Sequence, residues 1–209
     1  MKKRVWKVFD LSASGGGAVL FILSAAFLAG AAAGCLLADR VGGDGSSALA
    51  DYLSAYLDAA VAGALARPEI LSLIWENARW PLLLAVLSVT PVGLLALPVL
   101  FLVRGFLLSF TIASLFRVLG TSGLAVAFVL FGFTGILSIP VLFVLGVQGY
   151  LLSGAIAGRL MGEGRRRLRP DRPLLFCCGA CAAVLCVCCF LEYHLVPALL
   201  EPLAELLLR

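Results

Sequence analysis

The sequence predicts an all-α fold: a polytopic integral membrane bundle of about five transmembrane helices, with a broken or re-entrant element near Gly135–Pro140 and an extracytoplasmic amphipathic helix. Three observations carry this expectation. Hydrophobic residues make up 62% of the 209 residues and charged ones 13%, with a mean hydropathy of +1.09, which is more apolar surface than a water-soluble fold can cover. The stretch from Pro98 to Gly158 carries only two charges, Arg104 and Arg117, so it lies in or against a bilayer. The basic residues gather at the ends of apolar runs and not on a polar face, so the net charge of +4 reports orientation in a membrane and no nucleic-acid partner is expected.

The N-terminus, 1–17, holds Lys2, Lys3, Arg4 and Lys7 and is followed by an apolar run from Ala18 to Ala38. That run is long enough to span, and Asp39-Arg40 offers no small-residue cleavage site, so it reads as a retained first helix. Within it Gly30 and Gly34 stand four apart in an Ala-rich context, a spacing that lets a second helix backbone approach closely. Packing within the chain is the expected use, with homo-oligomerisation as the lesser possibility.

Residues 39–79 are the one sizeable polar segment, with six acids (Asp39, Asp44, Asp51, Asp58, Glu69, Glu76) against three bases (Arg40, Arg67, Arg79). This excess of acid suits the outside. From Asp51 the chain places Tyr52, Leu53, Tyr56 and Leu57 at helical spacing, an apolar side that would lie on the membrane surface, pack on the bundle or dock a partner; Pro68 ends the helix. A second connecting helix over 69–79 leads past Trp75 and Trp80 into a span from Pro81 to Leu97, with Pro98 at the cytoplasmic turn.

The third span, 98–118, puts Arg104 about one and a half turns inside, where it must snorkel to the surface or face a polar interior; snorkelling is the commoner outcome. Gly120-Thr121-Ser122-Gly123 then forms a turn. From Leu124 to Gly158 the chain spends roughly 35 residues on a crossing that needs about 20. Pro140 and the glycines around it place the interruption there. The loop 159–172 carries six arginines (Arg159, Arg165, Arg166, Arg167, Arg169, Arg172), which by the positive-inside rule puts it and the N-terminus in the cytoplasm. A last span from Pro173 to Tyr193 delivers the tail, 194–209, to the outside.

Chemistry is weakly signalled. Six of the seven cysteines crowd the last span, and Cys178-Gly-Ala-Cys181 has metal or redox spacing, but an apolar helix disfavours the thiolate, so these residues read as packing. Gly120 to Gly123 matches the G-x-S-G of rhomboid-type proteases with His194 as the available base, yet no oxyanion donor accompanies it. Glu192, His194 and Glu201 do not make a metal constellation, and no phosphate-binding loop appears. No catalytic residue, cofactor or metal is therefore expected.

Residues from Arg104 to Pro140 resemble the stage II sporulation protein M family, integral membrane proteins of spore-forming bacteria and wider relatives. The resemblance rests on Arg104-Gly105-Phe106, on Phe110-Thr111, on the turn from Gly120 to Gly123 with Leu124 behind it, and on Ile139-Pro140; it extends back to Asn77 and covers about residues 15–160. The chain departs from the family pattern at Phe133-Thr134-Gly135, at Ser109 and at Ala113, and in its Cys-rich last span. The resemblance implies a non-catalytic membrane scaffold for engulfment in sporulation, partnered outside the cytoplasm by a lytic transglycosylase (stage II sporulation protein D) and an amidase (stage II sporulation protein P). It implies wall remodelling carried out by those partners. An alternative from the residues alone is a small permease, with Thr134, Ser138 and Gln148 lining a polar path at the broken helix.

Overall fold

The computed structural model describes residues 16–40, 51, 70–128, 132–160, 179, 181–184 and 186–194. Five helices follow in order: α1 Gly16–Arg40, α2 Ile70–Ser88, α3 Gly93–Leu119, α4 Thr121–Ala127 and α5 Phe133–Leu160. A shorter apolar helix, α6, is Cys181–His194. No strand occurs among the described residues. Three segments, Gly16–Arg40, Gly93–Arg117 and Thr134–Leu160, are long and apolar enough to cross a membrane.

Glycine sets the closest packing in the bundle. A Cβ on Gly30 of α1 would overlap the carbonyl of Leu102 in α3, and one on Gly34 would stand 2.5 Å from the carbonyl oxygen of Phe106. The approach is reciprocal, since a Cβ on Gly105 of α3 would overlap the carbonyl of Phe27 in α1. The Gly30–Gly34 spacing is thus spent inside the chain, as helices without Cβ atoms at the crossing come close enough for backbone to meet backbone. Because position 30 meets 102 and 34 meets 106, α1 and α3 run in the same direction.

The helix α5 runs against them. Gly146 packs on the ring of Phe101, and Gly154, further along α5, faces Leu94, earlier in α3. Around this contact lie Val19, Leu23, Leu84, Leu97, Phe101, Leu142, Leu145 and Val147, the buried core. Phe143 joins it through the rings of Phe101 and Phe27, at centroid distances of 4.8 and 5.7 Å. The outward faces are apolar too: Phe21 is 75% and Leu95 77% exposed, which suits side chains meeting lipid and not water.

Two boundaries differ from the sequence expectation. The connecting helix of 69–79 and the span after it are one helix, α2, that passes through Pro81, and the turn falls at Val89–Val92, so Pro98 lies inside α3. Pro91 is the proline that acts there, having no N–H to offer a helix. The carbonyl of Thr90, which accepts from the N–H of Gly93 within the turn, also accepts a hydrogen bond of 2.7 Å from the fully buried Ser153 Oγ, which pins the turn to α5. The second difference concerns Gly135–Pro140. That segment is continuous helix within α5, which runs through Pro140 without interruption.

Candidate functional site

The polar residues of the bundle gather where α2, α3 and α6 meet. Asn77 of α2 uses its Nδ2 group twice, donating to the carbonyl of Leu73 one turn back at 3.2 Å and to Glu192 Oε2 of α6 at 2.6 Å. A charge-assisted bond of that kind, away from water, is among the stronger side-chain ties. One turn before Glu192 on α6, the Cys189 thiol donates weakly to the same Leu73 carbonyl, at 3.9 Å. The α6 helix is thereby held to α2 at two successive turns.

Arg104 enters from α3. Its guanidinium lies 4.8 Å from the ring centroid of Trp80 on α2, with Arg79 on the ring as well at 5.7 Å. Glu192 and Arg79 are the charged groups that act on it. Because α3 begins at Gly93, Arg104 sits about 16 Å along the helix and about 20 Å from Arg117, near mid-height. The snorkelling expected of it therefore gives way to the polar-interior alternative, with an indole face and a carboxylate in place of water. The Nε of Arg104 and the Nε1 of Trp80 are buried without hydrogen-bond partners among the described residues.

The remaining motif residues do structural work. Gly105 permits the α1 crossing already described, and Phe106 and Phe110 stack one turn apart with centroids at 5.8 Å. Thr111 Oγ1 bonds back to the Leu107 carbonyl at 2.8 Å. Gly120, with φ of 62°, closes α3 in a conformation that glycine adopts freely, and its carbonyl accepts from the N–H of the buried Gly123. That turn opens α4, so the G-x-S-G resemblance is accounted for by backbone geometry. His194 is exposed at the end of α6, against Phe190 and Tyr193. Tyr52, Leu53, Tyr56 and Leu57 lie outside the described residues, as do Cys177 and Cys178. Cys181 and Cys188 are buried and, like the other described cysteines, are not in disulfides.

The sequence pointed to Asn77 and Arg104 and missed Glu192 as their companion. The available signal was that a carboxylate inside an apolar helix needs a partner, but the separation of 115 positions hides which one.

A cavity of about 750 Å³ lies on the other side of the bundle, between α1, α3, α4 and α5. Its walls include Phe27, Leu108, Ile112, Leu124, Ile136 and Ile139. Of the polar residues considered for a permease path, Thr134 and Gln148 are half-buried and Ser138 is buried; none lines this cavity.

A chain whose described residues form helices joined by short turns, with three spans of membrane-crossing length, is an integral membrane protein of the helical class. The sequence model of stage II sporulation protein M matches residues 18–197, most of the chain, and the protein belongs to that family. It is accordingly a sporulation-related membrane protein, and the family is not a known enzyme family. No curated protein and no solved structure matches it.

Proposed function

We propose that the protein is a non-catalytic membrane scaffold that gathers peptidoglycan-degrading partners, a lytic transglycosylase and an amidase, during engulfment. Family membership supports the setting. The observation that carries the reading is how the interior spends its polar groups. Asn77 ties α2 to α6, Ser153 ties α5 to the α2–α3 turn, and Arg117 donates to the Ala38 carbonyl to tie α3 to α1. Side chains used this way make a rigid frame, whereas a solute path needs them to converge on a cavity. The cavity of this bundle is walled mainly by apolar side chains.

In this reading the chain crosses five times, with α2 and α6 completing the three long spans. The N-terminus and the arginine-rich loop 159–172 are cytoplasmic. The segment 39–69 and the tail face the wall, and the tyrosine-bearing helix after Asp51 is the docking face. Parallel α1 and α3 with opposed α2 and α5 support this, because they bring the start of α1, the α2–α3 turn and Arg159 to one end of the bundle.

Deleting Asp51 to Arg67 should leave the protein inserted and abolish co-purification of both hydrolases from sporulating cells. Retention of both by the deletion variant refutes the docking face. Solute flux in reconstituted vesicles that falls with Thr134→Val or Gln148→Leu would replace the scaffold with a permease.

A further inference from the structure

The cavity between α1, α3, α4 and α5 has no role in the scaffold reading, and its place in the bundle points to an occupant. Its floor on α1 is Phe27 and its walls on α3 run from Leu108 to Ile112, with Leu124, Ala127 and Phe128 of α4 across from them. Measured along the helices, it spans from about 8 Å to about 20 Å below the level of Arg117 and Arg40. These depths fall in the hydrocarbon layer, where a space of this size is filled by lipid and not by water.

The two cations stand at the same end. Arg40 closes α1 and Arg117 lies in the last turn of α3, brought together because Arg117 donates to the Ala38 carbonyl. That contact uses part of a guanidinium with five donors, and Arg117 is otherwise exposed. Asp39, also exposed, offsets one of the two charges, so Asp39, Arg40 and Arg117 together carry one net positive charge. A guanidinium binds phosphate in a planar, two-point fashion that lysine does not reproduce.

We propose that the cavity holds one acyl chain of an anionic phospholipid, whose phosphate is bound by Arg117 and Arg40. The occupant is a bilayer lipid because apolar walls at hydrocarbon depth, with two arginines at the end above them, suit an acyl chain beneath a phosphate.

The test uses the full-length protein in nanodiscs containing a phosphatidylglycerol or a phosphatidylcholine with a diazirine in one acyl chain. Crosslinked peptides are then mapped by mass spectrometry. Labelling should concentrate on peptides holding Leu108–Ile112 and Leu124–Phe128 and should favour phosphatidylglycerol at least five-fold. Gly135→Leu fills the space from a wall position that accepts a side chain, since a Cβ there meets nothing closer than Ile139 Cδ1, at 3.8 Å. It should reduce that labelling at least five-fold. Arg117→Gln should abolish the preference for the anionic headgroup while leaving acyl labelling in place. Ala127→Leu provides a second filling variant where Gly135→Leu does not accumulate. Even labelling of all lipid-facing helices, unchanged by either filling substitution, overturns the proposal. Equal labelling by both lipids in the wild type overturns its headgroup half.

Discussion

The crossing of α1 and α3 makes the sharpest energetic prediction. Placing a methyl on Gly34 would bring it to 2.5 Å from the Phe106 oxygen, whereas a carbon and a carbonyl oxygen rest at about 3.3–3.6 Å, so the helices must part by close to 1 Å. At Gly30 and Gly105 the overlap is with backbone, which cannot swing aside. Overpacking of this kind costs about 1–3 kcal/mol, and the parted helices also lose dispersion contacts along their length. Gly30→Ala and Gly105→Ala should therefore each destabilise by about 2–3 kcal/mol. The double variant should cost much less than the sum, because one separation relieves both clashes. Gly17→Ala is the control: nothing lies within 4 Å of that position, and alanine should raise stability by up to about 1 kcal/mol through helix propensity. Reversible unfolding in mixed micelles, followed by tryptophan fluorescence, supplies the four free energies. A Gly30→Ala protein as stable as Gly17→Ala refutes the reasoning.

Three further outcomes follow from the polar contacts. Asn77→Ala should cost about 1–3 kcal/mol in the same unfolding assay by leaving the Glu192 carboxylate without its donor, and Asn77→Ala with Glu192→Ala should be milder than the sum. Arg104→Lys should lose about 0.5–2 kcal/mol, since an ammonium cannot lie flat on the Trp80 ring, and the loss should vanish in a Trp80→Leu background. Ser153→Ala should cost about 1 kcal/mol and speed hydrogen exchange at the α2–α3 turn, where the Thr90 carbonyl keeps the Gly93 N–H but loses its tie to α5.

Much of the bundle was legible because the signals were local. Hydropathy marks the long spans, and the Gly30–Gly34 spacing announces a close helix contact without naming its partner. The partner was half-written in Gly105 of the Arg104-Gly105-Phe106 motif, but pairing two glycine sites across 75 positions needs the fold. The prolines misled for a physical reason. Proline breaks an isolated helix, yet within membranes its freed carbonyl can be satisfied locally, and Pro81, Pro98 and Pro140 all lie inside helices. That is why the sequence suggests a turn near Pro98, where it falls at Val89–Val92, and an interruption at Gly135–Pro140, where the helix is continuous. Arg104 was misjudged in consequence: a span starting at Pro98 puts it near the surface, and one starting at Gly93 puts it at mid-height beside Trp80.

The scaffold account requires the acidic segment 39–69 to face the wall. Replacing Ala55 by cysteine in a cysteine-free chain and treating intact cells with a membrane-impermeant maleimide tests this directly. The account predicts labelling without permeabilisation; labelling that appears only after the membrane is opened would contradict it.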